Sequence, residues 1–335
     1  MKAPFVWFGG KRRVAPEVWA ALGDVPNYIE PFAGSLAVLL GRPHDMSNGT
    51  RRAETVNDAD GFLANFWRAL AHDPEAVAHW CDWPVNEVDL FARHLWLVNT
   101  GRSRLLEGME ADPDFYDAQV AGWWVWGVNA WIGSGWCSGD GPWVDTGDGI
   151  GKLPHLGDAG RGVERRLPHL GNAGRAGYNN MEYRPNVLGY FEELAGRLRD
   201  VRVCCGDWSR VCTSGAMSYG SKVGVFLDPP YLGDVRTADL YAVDDHTISH
   251  AVRDWCLEHG DDPRLRIVLA GYRAEHDDLM PDTWRRHYYS ASAAYSTTES
   301  AARQDGNHAN RANEVLWFSP HCVTPDRQGE LWEAL

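Results

Sequence analysis

The sequence predicts an α/β fold with a mostly parallel sheet, interrupted by an inserted and mainly helical segment. Three observations predict it. Short apolar runs alternate with amphipathic stretches over roughly the first sixty residues, and the same grammar resumes near Asn186. Each apolar run closes on turn-forming residues such as Ala33-Gly34-Ser35, Asn57-Asp58 and Gly206-Asp207. Between the two α/β stretches the pattern changes to long helices, then tryptophan and glycine, then a duplicated loop. Strands that alternate with helices form parallel neighbours, and such sheets take their ligands at the strands' carboxyl ends.

The elements follow in order. Asn27 to Phe32 reads as a short strand, Ala33 to Ser35 as a turn, and Leu36 to Leu40 as the start of a helix with an apolar face. Glu54-Thr55-Val56 is a second strand, ending at Asn57 to Asp60, and a helix follows from about Gly61 to Leu70. Pro74 to about Leu106 is helical and rich in large apolar residues. Trp123, Trp124, Trp126, Trp131, Trp136 and Trp143 then come interleaved with glycine and serine. The segment from Leu153 to Arg161 recurs from Leu167 to Arg175 as Leu-Pro-His-Leu-Gly-(Asp/Asn)-Ala-Gly-Arg, a loop by its Pro and Gly content. Two copies are too few for a solenoid. The α/β grammar resumes with a helix from Val187 to Leu198 and strands Val201 to Cys205 and Val223 to Leu227. A helix from Thr247 to Glu258, a strand from Leu265 to Leu269 and a last strand from Asn313 to Phe318 complete it.

Composition narrows the function classes. The chain has 335 residues, ample for a large core, and a formal net charge of −14, which argues against a general polyanion binder. Basic residues are local: Lys11, Arg12 and Arg13 cluster, and Lys152, Arg161, Arg165, Arg166, Arg175 and Arg184 outnumber Asp158, Glu164 and Glu182. Any nucleic-acid affinity is therefore expected to be local and salt-sensitive. Seven cysteines lack Cys-x-x-Cys spacing, so reduced thiols and no metal site are expected, and His155 with His169 lacks companion ligands. No apolar stretch approaches the ~20 residues of a membrane span, and Met1 to Phe5 lacks a signal-peptide core. The expectation is a soluble cytoplasmic protein with no membrane partner.

The chemistry concentrates in Asp228-Pro229-Pro230-Tyr231, directly after the apolar run Val223 to Leu227. Proline has no N–H, so the carbonyls of such a turn stay available as acceptors. The Asp228 carboxylate and the Pro229 carbonyl can each accept one hydrogen of an aromatic amino group, and Tyr231 offers a face for a base to stack on. That grip draws the nitrogen toward tetrahedral geometry and frees its lone pair for in-line attack on a methyl sulfonium. The bland alternative is a Pro-Pro turn closing a buried strand.

The tetrad has company. Phe5-Val6-Trp7-Phe8-Gly9-Gly10-Lys11, Tyr28-Ile29-Glu30-Pro31-Phe32-Ala33-Gly34, Asn57-Asp58, Gly206-Asp207 and the tetrad itself occur in that order. Together they resemble the Dam-type DNA adenine-N6 methyltransferases, over about residues 1–65 and 185–320. The resemblance implies a Rossmann-like S-adenosylmethionine methyltransferase fold and a site-specific enzyme that methylates adenine N6 in DNA. It implies that Asp228, Pro229, Pro230 and Tyr231 bind an adenine flipped from its stack. It implies that Glu30, Pro31, Phe32, Ala33, Gly34 and Ser35 form the cofactor loop, that Asp58 holds the ribose hydroxyls and that Asp207 reads the cofactor adenine. It further implies that Asp228 adjoins the cofactor and that Trp7, Gly9, Gly10 and Lys11 belong to a segment that closes over its methionine part. Alone, Asp58 and Asp207 are equally readable as turn caps, Lys11 as a solvated lysine and Phe32 as core. This chain departs from the family at Ser35 and Leu36, where further glycines are usual, and at Val6.

Residues 66–184 occupy the place of a target-recognition domain, with 1–65 and 185–320 as a discontinuous catalytic domain and 321–335 as a tail. Trp123, Trp124, Trp126 and Trp131 read as core by their helical spacing. Trp136 and Trp143, set among Gly, Ser and Pro, read as DNA contacts, with Arg161, Arg165, Arg166 and Arg175 for phosphates or a guanine edge. Two other functions stay open at this point. Cytosine N4 as acceptor usually goes with Ser in place of Asp228, and a non-catalytic DNA-binding descendant is argued against by the intact tetrad. Duplex or single-stranded DNA, a partner restriction endonuclease in a restriction-modification pair, and the oligomeric state are likewise open.

Overall fold

The computed structural model describes residues 1–5, 7, 10–43, 52–112, 114–131, 136–137, 143–145, 150–152, 187–230, 245–289 and 314–324. The chain is α/β, with a mostly parallel seven-stranded sheet in the order β5-β2-β1-β6-β7-β9-β8. The strands are β1 (Asn27–Glu30), β2 (Ala53–Asp58), β5 (Val201–Cys205), β6 (Val223–Leu227), β7 (Leu265–Tyr272), β8 (Arg285–Tyr289) and β9 (Glu314–Phe318). β1 runs parallel to β2 and β6, and β6 parallel to β7; β9 runs antiparallel to both β7 and β8. β3 (Trp143–Asp145) and β4 (Ile150–Lys152) form a separate antiparallel pair.

The described residues fall into two compact units. One spans Lys11–Asn57 and Trp208 onward, and holds the strands of the large sheet other than β5, with β2 up to Asn57. Its helices are α1 (Ala15–Leu22), α2 (Ala37–Leu40), α9 (Asp245–His259) and α10 (Arg273–His276). β6 is buried at every position, as a central strand covered on both faces must be, which is why its sequence is a continuous apolar run. Trp19 in α1 donates its ring N–H to Val38 O at 2.7 Å, tying α1 to α2. Arg42 is buried beneath the same ring, with Glu54 at 2.8 Å. Ser249 Oγ lies 3.3 Å from both Glu275 Oε2 and His276 Nε2. That serine is 0% exposed and bonds the carboxylate directly, so this cluster is core glue and not a hydrolytic triad.

The other unit spans Met1–Gly10 and Asp58–Asp207. It contains β5 and the helices α3 (Gly61–His72), α4 (Pro74–Cys81), α5 (Glu87–Trp96), α6 (Arg102–Ala111), α7 (Ala118–Ala130) and α8 (Val187–Leu198). Short polar residues cap these helices: Asp60 accepts from Phe62 and Leu63, Asp73 from Ala76, Asn86 from Asp89 and Asp117 from Val120. Each such cap is worth about 1 kcal/mol. α7 packs closely on α4 at Gly122, where a Cβ would stand 2.4 Å from Trp80 Cβ. Phe66, Trp67, Trp124 and Trp126 are fully buried and make the aromatic heart of this unit. Buried Asn65 is satisfied by a reciprocal pair of bonds with the Asp117 backbone, at 2.9 and 2.8 Å.

Several expectations are corrected. The first strand ends at Glu30 and not at Phe32, because Pro31 cannot donate to a ladder. The helical stretch from Pro74 is broken at residues 82–86, where Asn86 caps a new helix, and a π-helical turn, Leu97–Gly101, joins α5 to α6. Trp124, Trp126 and Trp131 are buried as expected, but Trp123 is half-buried. The duplicated segments, with Arg161, Arg165, Arg166 and Arg175, lie outside the described residues, as do Gly9 and Tyr231.

Candidate active site

In the unit that begins at Lys11, β1, β2, β6 and β7 all run parallel and deliver their carboxyl ends to one edge of the sheet. The turn after β1 is fixed there by backbone bonds. Ala33 N–H donates to Asn57 O at 2.9 Å, Asn57 Nδ2 donates to Pro31 O at 3.0 Å, and Leu36 N–H donates to Ala33 O at 2.8 Å. Pro31, Ala33 and Ser35 are buried, and Phe32 is half-buried and stacked on Trp208 with ring centroids 6.2 Å apart. Gly34 adopts φ 47° and Leu36 φ 54°. Leu36 thus takes a left-handed conformation at one of the two positions where the family usually has glycine, and bears the steric cost that glycine avoids.

Glu30 is fully buried. Its Oε2 accepts from the Tyr28 hydroxyl at 2.9 Å and from Leu39 N–H at 3.3 Å, joining β1 to α2. Burial pushes its carboxyl pKa up to about 8, with Asp228 and Glu54 raising it further and the two hydrogen bonds opposing the rise. Sequence reasoning put Glu30 in the cofactor loop; the described contacts of its carboxyl are internal.

Asp228 follows the last residue of β6, with Pro229 buried and Pro230 half-buried beside it. Lys11 Nζ stands 2.9 Å from Asp228 Oδ1, and these side chains are 5% and 19% exposed. The reading of Lys11 as a solvated lysine is overturned: it is buried and ion-paired to the first residue of the tetrad. Glu314, at the start of β9, is a residue that sequence reasoning missed. It is buried, its carboxyl pKa is pushed up by burial, and the charge of Lys11 opposes that rise. Its only sequence signal is an acid opening an apolar strand.

The remaining candidates lie in the other unit. Trp7 is half-buried, edge-on to Phe5 at 5.8 Å and tilted on Trp124 at 6.0 Å. Phe5 anchors the segment among Phe66, Trp67 and Trp124, and Asn129 Nδ2 holds Pro4 O at 3.2 Å. Gly10 is exposed and donates to Trp7 O at 3.2 Å. Asp58 ends β2; its Oδ1 accepts from Asp60 N–H at 3.0 Å, and its carbonyl accepts from Gly206 N–H at 3.0 Å. Asp207 follows β5 as an exposed acid. Trp136 is half-buried, with its ring N–H on Trp124 O at 3.0 Å and its face against Gly127. Trp143 is the first residue of β3.

Among the described residues no cluster of His, Cys, Asp and Glu has the arrangement of a metal site. No helix among them is long and apolar enough to cross a membrane. Residues 7–86 match the family model of the D12 class N6 adenine-specific DNA methyltransferases. The matched span takes in Trp7 to Lys11, the turn after β1 and Asp58; the tetrad lies beyond it. No curated protein matches the chain. Over residues 7–86, then, the chain is similar to the D12 class N6 adenine-specific DNA methyltransferases, in keeping with its ordered motifs and its parallel sheet.

Proposed function

We propose that this chain methylates N6 of an adenine flipped out of DNA, and that Asp228, Pro229, Pro230 and Tyr231 hold the base while it reacts. The observation that carries the reading is the Asp228–Lys11 pair: an ionic acceptor, fixed from the side, directly after the central parallel strand. Asp228 and the Pro229 carbonyl would accept the two amino hydrogens and withdraw the lone pair from the ring. Asp fits an adenine acceptor better than cytosine N4, whose enzymes usually carry Ser at this position.

The donor set suits S-adenosylmethionine. Small residues, Ala33, Gly34 and Ser35, line the turn after β1, where bulk would block a close backbone approach. Asp58 and Asp207 are acids of the kind that hold ribose hydroxyls and an adenine amino group, and Phe32 offers a ring face. Trp7, Gly9, Gly10 and Lys11 complete the proposed cofactor contacts. When bound, the cofactor supplies a methyl group on a sulfonium, an electrophile that needs no metal activation. The protein's work is then to orient the amine, exclude water and accept hydrogen bonds that strengthen as nitrogen becomes positive. The amine proton leaves after transfer, so no general base near neutrality is required.

Residues 66–184 would supply target recognition, with Arg161, Arg165, Arg166, Arg175, Trp136 and Trp143 as DNA contacts. Methyl transfer from labelled cofactor to duplex DNA, followed by digestion and nucleoside mass identification, tests the reaction. N6-methyladenine is expected, and N4-methylcytosine would overturn the acceptor. Asp228→Ala should lower turnover on the order of 10³-fold while cofactor affinity holds, the size expected for a lost transition-state contact. A variant near the wild-type rate would refute the role of the tetrad.

A further inference from the structure

We propose that Trp83 is a stacking platform for a nucleobase of the DNA, its ring backed by the buried guanidinium of Arg93. The inference rests on the reading of DNA as substrate given above, and it names a contact in the helical unit that sequence reasoning did not single out.

The connection between α4 and α5 opens with Asp82-Trp83-Pro84, and Trp83 is fixed there at two points. Its carbonyl accepts from the Trp126 ring N–H at 2.9 Å, which ties it to α7. Its own ring N–H donates to Asp89 Oδ2 at 3.1 Å, and Asn86 Nδ2 holds the same oxygen at 2.6 Å. The residue is nevertheless 48% exposed. A single large ring on a surface is ordinary; one locked in place above a buried cation asks for a ligand. Trp136, expected among the DNA contacts, shows the contrast: its ring N–H is bound to Trp124 O and its face lies against Gly127.

Arg93 on α5 supplies the backing. Its guanidinium carbon lies 4.2 Å from the ring centroid of Trp126, 5.2 Å from that of Trp123 and 5.5 Å from that of Trp83. Arg93 is 8% exposed, and its Nη1 is buried with no hydrogen-bond partner among the described residues. Arginine keeps its charge when buried, and an unbonded N–H costs free energy that packing on ring faces offsets only in part. The cation covers the inner face of Trp83 and draws π density toward itself, while the outer face is open. An electron-poor indole face suits the ring of a base, and stacking of this kind tolerates any base. The exposed acids Asp82 and Glu87 flank Trp83 in sequence and repel phosphates. The contact is therefore made through a base that has left its stack, and not through the DNA backbone.

The test measures binding of a labelled single-stranded oligodeoxynucleotide to the full chain by fluorescence anisotropy, at two ionic strengths. Trp83→Ala should weaken binding roughly ten-fold, the scale of one base–aromatic stack. No charge is removed, so the salt dependence should match that of the wild type. Trp83→Phe, which keeps a ring face, should recover most of the affinity, and both thermal midpoints should stay near wild type. Unchanged binding in Trp83→Ala, a loss that tracks melting, an altered salt slope, or a Trp83→Phe as weak as the alanine variant would each overturn the proposal. Arg93→Met tests the backing: it should weaken binding in the wild-type background and add nothing to Trp83→Ala. Equal effects in the two backgrounds would put Arg93 on the DNA directly and refute a role through Trp83. Adenine methylation by the wild type separates this proposal from the functional reading. A chain that methylates adenine but binds equally well as Trp83→Ala sinks only the platform. One that binds through Trp83 and methylates nothing sinks only the reading, and a wild type that binds no oligonucleotide overturns both.

Discussion

Stability should fall as pH rises, and Glu30 should be the main reason. Its carboxyl is buried between β1 and α2, with pKa raised from 4.5 to about 8. Between those values the folded chain keeps a proton that the unfolded chain releases, so raising the pH favours unfolding. The contribution is intact below the unfolded value and is lost as pH climbs through the folded one. Each pH unit inside the window carries up to about 1.4 kcal/mol, and the whole window on the order of 5 kcal/mol, a large share of the 5–15 kcal/mol typical of a domain. Glu314 is shifted in the same direction, so the comparison must isolate Glu30. Glu30→Gln does so, because the amide oxygen can still accept from Tyr28 and Leu39 and cannot ionise. Denaturant unfolding of both proteins at pH 5, 6, 7, 8 and 9 gives the difference directly. The wild type should lose stability relative to Glu30→Gln by several kcal/mol between pH 5 and pH 9. Parallel curves would refute the argument, and so would a wild type that gains on the variant at high pH.

Three further outcomes follow from the packing and from the basic segment. Leu36→Gly relieves a left-handed backbone worth about 1–2 kcal/mol but deletes a side chain that is 0% exposed, whose loss costs about 3 kcal/mol, so net destabilisation of 1–2 kcal/mol is expected on denaturation; a stabilised variant would show that strain dominates. Gly127→Ala places a Cβ 1.7 Å from Trp136 Cζ2 and must expel that ring from α7, which should red-shift tryptophan emission and cost about 2 kcal/mol; an unchanged spectrum would contradict the packing. Deleting residues 152–177 should weaken DNA binding and flatten its salt dependence in titrations at several ionic strengths, and unchanged affinity would remove the duplicated segment from the interface.

The strands that build the sheet's centre were legible because burial on both faces leaves an unbroken apolar run, as in Val223 to Leu227. α8 was legible because Val187, Phe191, Leu194 and Leu198 recur at helical spacing and all are buried. β8 was not legible. Arg285-Arg286-His287-Tyr288-Tyr289 is an outer strand with one solvated side, and its polar sequence carries no alternation to find. α1 was missed because eight residues beginning Ala-Pro offer too short a stretch to establish a period. At the candidate site, the turn after β1 and the place of Asp228 at the end of β6 could be read from residue types alone. The burial of Lys11 could not, since lysine is exposed by default and its partner lies far along the chain. Glu314 was hidden for a related reason: a lone acid before an apolar strand resembles a turn residue until β7 and β8 enclose it.

The acidity of the chain and its proposed substrate are reconciled by distance. A formal charge of −14 repels phosphates in bulk, so binding must rest on local cations and should weaken steeply with salt. On the proposed reading, the Lys11–Asp228 pair would act over a shorter range, on one nitrogen that gains positive charge. Groups this buried are screened little by ions in solution, whereas exposed phosphate contacts are screened within about 10 Å at 0.1 M salt. Affinity and chemistry should therefore separate: added salt raises KM for DNA and leaves kcat nearly constant. Equal loss of both would mean that the charges controlling transfer are exposed, which is incompatible with a Lys11–Asp228 pair whose side chains are 5% and 19% exposed.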